Sequence, residues 1–123
     1  DYSQIEDEPI KAAFFDPTGN AVKTIYPLLA PFRSRLQVVL SSDYWVDVMN
    51  ADINKGVAVQ QVQQYLQIQP EECAAFGDYL NDAEMLAAVD YSFAMENAHP
   101  DIKKLARYST DSNARAGVLR GIQ

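Results

Sequence analysis

The chain has 123 residues, about one ordinary domain, and its 48% hydrophobic content lets it bury a core, which excludes a disordered tail. A formal net charge of −7 argues against a nucleic-acid partner, because that kind of binding rests on Lys and Arg. No apolar run approaches the ~20 residues of a membrane helix, and the acidic opening "DYSQIEDEPI" lacks the basic and apolar regions of a signal peptide.

In chain order, "IKAAFF" (Ile10–Phe15) reads as a strand and "DPTGN" as a turn-rich stretch. "VKTIYPLLAPFRSRL" has the look of a helix, with Pro27 and Pro31 placed to interrupt or end it. "LQVVLSS" is a second strand. "YWVDVMN" alternates Trp45, Asp47 and Met49 against Tyr44, Val46 and Val48, which is strand periodicity with one wetter face. With only "SSD" between them, these two runs can pair as a hairpin. Asp43 and Asp47 are expected to be exposed, and Trp45 to lie in the core or an interface of this piece.

At Asn50 the pattern changes. "NKGVAVQQVQQYLQI" carries Ala58, Val62 and Leu66 at intervals of four with Gln on the other face, which predicts an amphipathic helix. "CAAFG" reads as a buried strand, "NDAEMLAAV" as a helix, "YSFAM" as a strand and "HPDIKKLA" as a helix with Pro100 in its first turn. "RYST" is a last short strand and "ARAGVLRGIQ" a last helix. Alternation of this kind predicts a parallel sheet with helices packed on it. The single cysteine, Cys73, forms no internal disulfide and suits a reducing cytoplasm as a small buried hydrophobe.

The densest chemistry lies in "FGDYLNDAEM", where three carboxylates and Asn81 fall between Asp78 and Glu84. In an open α/β sheet, ligands bind beyond the carboxyl ends of the strands, and Asp78 directly follows the "CAAFG" strand. Gly77 is expected to give the backbone room to turn. An oxygen-only set suits Mg²⁺. A plain helix start accounts for part of the same stretch: Asn81 can cap, Glu84 completes a capping-box-like pair, and Asp82 suits the helix dipole. It does not account for Asp78. A calcium EF-hand is excluded, because its loop wants an oxygen ligand at position 3 and Gly at position 6, where counting from Asp78 gives Leu80 and Ala83. Lys55 is the second anomaly. A cation in the first turn of a helix opposes the dipole unless it is solvated or aimed at an anion.

"NKG", then "GDYLNDAEM" with 78 − 55 = 23 residues from Lys55 to Asp78, then "FAMENAHPDIKKLARYST", resembles the C-terminal half of the Cof-type phosphatases of the haloacid dehalogenase superfamily. The resemblance implies the C-terminal half of a Rossmann-like parallel-sheet core over residues 50–123. Before it, over residues 1–49, it implies the C-terminal part of an α+β cap domain. It implies that Asp78 ligates Mg²⁺, that Asp82 supports the metal site, that Asn81 binds substrate or phosphate, and that Lys55 stabilises the phosphoryl group. It implies hydrolysis of a small phosphorylated metabolite, such as a sugar phosphate, through an aspartyl-phosphate.

The family's nucleophile loop is of DxDG type, and "FFDPTGN" imitates it without the second Asp, whose place Thr18 takes. Asp16 also lies only 55 − 16 = 39 residues before Lys55, too close to hold the rest of a core and cap. Asp16 is therefore rejected as nucleophile, and the N-terminal half of the enzyme is expected to be missing from this chain, which alone should be inactive. The alternative is a non-catalytic metal- or partner-binding fragment of such a fold. His99 reads as a surface or cap residue. Asn97 can either orient the metal-site loop or simply form its turn.

Overall fold

The computed structural model describes residues 9–123. The chain divides into two compact units, residues 1–52 and 53–123.

The first unit holds an antiparallel sheet of β1 (Lys11–Phe15), β2 (Leu36–Leu40) and β3 (Trp45–Asn50), in the order β1-β3-β2. β2 and β3 form a hairpin with Leu40 opposite Val46, and β1 flanks β3 with Phe14 opposite Val46. Val46, on the central strand, and Ala21 are fully buried. Trp45 is not core: it is exposed, and its ring lies 4.7 Å from that of Phe15.

Two expectations for this unit are corrected. The stretch from Val22 to Arg35 is not an α-helix but a succession of turns with one short 3₁₀ helix, Ala30–Phe32, and Leu36 already belongs to β2. Its hydrogen bonds are mostly of the i to i+3 kind, such as Leu28 N to Ile25 O and Phe32 N to Leu29 O, both 3.0 Å. Pro27 and Pro31 offer no N–H, so an α-helical ladder cannot run through them. Asp47 is buried, at 8% exposure, rather than exposed. It sits on the central strand between Ala13 and Val39, and the Lys11 ammonium, 3.4 Å from Oδ1, compensates its charge.

The second unit alternates helix and strand: α1 (Lys55–Leu66), β4 (Ala74–Gly77), α2 (Ala83–Ala87), β5 (Tyr91–Met95), α3 (Pro100–Leu105), β6 (Tyr108–Thr110) and α4 (Gly117–Ile122). The strands are ordered β4-β5-β6 and all pair in parallel, with Gly77 opposite Ala94 and Met95 opposite Thr110. "CAAFG" and "YSFAM" thus run side by side in one direction, as a βαβ unit requires. Leu86, Ala94, Met95 and Ile102 centre the core.

The buried face of α1 differs from the predicted one. Val62 and Leu66 are 54% and 55% exposed, whereas Gly56 and Gln63 are buried. The reason is the approach of α1 to α2. A Cβ on Gly56 would lie 2.6 Å from the Glu84 carbonyl oxygen, so only glycine permits this contact. Further along, the Gln63 amide donates to Ala88 O at 2.9 Å and satisfies a carbonyl at the end of α2. β4 is also less buried than expected, with Ala74 exposed and Cys73 half-buried. Among the described residues β4 pairs only with β5, so it is a sheet edge.

Candidate metal and phosphate site

Because β4, β5 and β6 are parallel, the loops leaving them open on one edge of the sheet. Asp78 leaves β4, Asn97 follows β5, and Asn113 follows β6.

Asp78 is half-buried and held on three sides. Its N–H donates to Asp82 Oδ2 at 2.9 Å. Its carbonyl accepts from His99 N at 2.8 Å. Its side-chain Oδ2 accepts from Asn113 Nδ2 at 2.6 Å.

Asp82 is the organising residue. It is 5% exposed, and both carboxylate oxygens are engaged. Oδ2 takes the N–H groups of Asp78 and, at 3.3 Å, Tyr79. Oδ1 accepts from the Lys55 ammonium. Gly77 makes room for this arrangement: a Cβ there would sit 2.8 Å from Asp82 Cβ. The glycine is thus required for side-chain space, not for the backbone turn expected of it.

Lys55 opens α1 behind Asn54, whose side chain accepts from Val57 N at 2.9 Å. The close packing allowed by Gly56 brings this first turn against α2, where the Lys55 side chain, half exposed, reaches Asp82. Its opposition to the helix dipole is answered by the Asp82 charge. Asn81 lies in the 3₁₀ turn Leu80–Asp82 between the two aspartates and is half-buried. Among the described residues its amide makes no hydrogen bond, so the capping role is not realised. α2 begins after Asp82 without a side-chain cap. His99 is a cap: its Nδ1 accepts from Asp101 N at 3.2 Å at the start of α3.

Among the described residues no three His, Cys, Asp or Glu side chains are grouped to hold a metal. Asp78 is the carboxylate still open to one, since both oxygens of Asp82 are engaged. An oxygen donor of this kind fits Mg²⁺, which is commonly held by one or two protein carboxylates together with waters and substrate phosphate.

Asp16, set aside as a nucleophile on its sequence context, is held inside the turn that follows β1. It is buried at 5% exposure. Its Oδ1 accepts from the Thr18 N–H at 2.8 Å and the Thr18 hydroxyl at 2.6 Å, and its Oδ2 accepts from the Thr24 hydroxyl. These bonds, Thr18 first, hold its carboxyl below the ordinary carboxylate value. It is a turn-builder.

The sequence reading missed two contributors. Gly56 stands beside Lys55 but shows its purpose only when α2 is in place. Asn113 lies 35 positions from Asp78, and no local spacing links them.

A family model described as haloacid dehalogenase-like hydrolase matches residues 1–122. The chain is 35% identical over 95 residues to the HMP-PP phosphatase of Serratia proteamaculans, covering 77% of this chain and 35% of that protein. It is 35% identical over 91 residues to the 5-amino-6-(5-phospho-D-ribitylamino)uracil phosphatase YcsE of Bacillus subtilis, covering 74% and 36%. A solved haloacid dehalogenase-like hydrolase from B. subtilis superposes with a TM-score of 0.79 at 30% identity, over 95% of this chain and 42% of that one. The chain thus spans well under half the length of these relatives. The parallel sheet, the match over nearly every residue and these likenesses agree: the chain belongs to the haloacid dehalogenase-like hydrolases, in their Cof-type branch.

Proposed function

We propose that this chain is the metal-holding and phosphate-facing part of a longer Mg²⁺-dependent phosphatase that acts on small phosphorylated metabolites, sugar phosphates among them. One observation carries the reading. The Lys55 ammonium, the buried Asp82 and the open Asp78 are linked at the carboxyl end of a parallel strand. Asp78 would hold Mg²⁺, which when bound offsets negative charge on a phosphoryl group. Asp82 fixes the loop and the position of Lys55. Lys55 keeps half its side chain in the open, where its charge can face phosphoryl oxygens. Asn81, its amide uncommitted among the described residues, would bind substrate. The residues before Asn50 would form part of a cap. The aspartate that attacks phosphorus, giving an aspartyl-phosphate, would come from outside these 123 residues.

The test is phosphate release from an aryl phosphate and a panel of sugar phosphates by the longer protein, with Mg²⁺ and with EDTA. Expected are Mg²⁺-dependent turnover, its loss in Asp78→Ala, and no turnover by the 123-residue chain alone. Turnover indifferent to both EDTA and Asp78→Ala would overturn the proposal. A second reading is a non-catalytic metal- or partner-binding domain of the same fold. Metal binding without any turnover by the longer protein would favour it.

A further inference from the structure

We infer that Asn113 is a positioning residue for the Asp78 carboxylate and that Asn97 holds it in place. The inference rests on the metal reading of Asp78. Three loops meet here, each leaving one of three adjacent parallel strands. Asn113 Nδ2 donates to Asp78 Oδ2 at 2.6 Å, and Asn113 N donates to Asn97 Oδ1 at 2.9 Å. The chain of bonds runs from the β5 loop through the β6 loop to the β4 loop. It joins the ends of the whole parallel sheet in this unit.

The chemistry suits a carboxylate that must wait for a cation. A lysine or arginine at this place would compete with the metal for the same charge. An amide donor fixes one oxygen and leaves the negative charge of the carboxylate in place. The backbone of Asp78 is already fixed by Asp82 and His99, so the Asn113 bond acts on the side-chain torsion that the other two cannot reach. The base of Asn113 is itself braced. Arg115 pairs with Asp111 at 2.9 Å within the β6 loop and with Glu96 across to the β5 loop, next to Asn97 in sequence. Asn113 is exposed, so removing its amide does not open the core.

The experiment measures Mn²⁺ binding by electron paramagnetic resonance, Mn²⁺ standing in for Mg²⁺ at oxygen ligands. It compares the longer wild-type protein with its Asp78→Ala, Asn113→Ala and Asn113→Leu variants, each checked for folding by circular dichroism. Leu keeps the same number of side-chain heavy atoms and the backbone N–H for Asn97, while removing the side-chain amide. Expected are loss of saturable binding in Asp78→Ala and a 10–100-fold weaker Kd in both Asn113 variants, the usual range for a residue that orients a ligand. In the wild type, the Asn113 side-chain amide resonances should broaden on adding Mn²⁺, and they should not in Asp78→Ala. A merely structural tie would lower the melting temperature and leave Kd unmoved. Wild-type Kd in both folded Asn113 variants, with binding lost in Asp78→Ala, would refute the inference alone. Binding that is absent from the wild type, or that survives Asp78→Ala, would refute the metal reading and the inference together.

Discussion

The Lys55 ammonium donates to one oxygen of the Asp82 carboxylate while the other oxygen receives the Asp78 N–H, so a single buried side chain joins the start of α1 to the loop after β4. The two partners are unequal. Asp82 is buried and also accepts from Tyr79 N, whereas half the Lys55 side chain is in water.

That inequality predicts unequal losses of stability. Asp82→Ala should destabilise by about 1–3 kcal/mol, because the part-buried N–H groups of Asp78 and Tyr79 lose their acceptor. Lys55→Ala should stay within about 1 kcal/mol, the range of an ion pair with one exposed partner. Urea titration of both variants decides it; equal losses would mean that the ion pair, not the backbone bonds, is what matters.

Gly56→Ala sets two effects against each other. Ala is favoured over Gly inside a helix by about 1 kcal/mol. Here the new Cβ would meet the Glu84 backbone at 2.6 Å, and overpacking of this kind costs about 1–3 kcal/mol. The clash involves backbone, which cannot swing aside, so the variant should be less stable. A raised melting temperature would show that α1 can shift freely, and the placement of Lys55 would then need another explanation.

For catalysis by the longer enzyme, Lys55→Ala should lower kcat/KM by an amount equivalent to about 2–4 kcal/mol, by analogy with removing one donor to a developing charge. Most of the loss should fall on kcat if Lys55 acts on the transition state rather than on substrate binding. Steady-state kinetics with one sugar phosphate read this directly, and a loss confined to KM would reassign Lys55 to uniform binding.

Asp16 offers a pH test in the first unit. Its carboxyl is held below the ordinary carboxylate value by the Thr18 hydroxyl first, then the Thr24 hydroxyl. The folded state therefore binds this proton more weakly than the unfolded chain. Its contribution to stability is complete above the ordinary value and is lost as pH falls through the lower, folded value. Thr18→Ala should move the carboxyl's midpoint upward in a carbon-detected NMR titration. Asp16→Asn should leave phosphatase turnover of the longer enzyme unchanged; abolished turnover would restore Asp16 as a nucleophile.

The order of elements from Lys55 onward was legible in the sequence, because alternation of period and the Gly and Pro punctuation are local properties of the chain. The βαβ handedness and short connections then leave a parallel sheet as the natural outcome, and Asp78 necessarily falls at a strand end. The stretch from Val22 to Arg35 does not follow its helix-like reading because Pro27 and Pro31 each remove a hydrogen-bond donor. The buried face of α1 was misread for a different reason. Its most apolar stripe, Ala58, Val62 and Leu66, does not face α2; the absence of a side chain at Gly56 decides which way the helix turns, and that is visible only against Glu84. The same holds for the site. Residue types and spacing leave Asp78 and Lys55 as the two anomalies, and only the family resemblance adds Asp82. Which oxygen of Asp82 serves Lys55, and which distant amide holds Asp78, depends on contacts between residues 27 and 35 positions apart, and only the packed sheet brings those together.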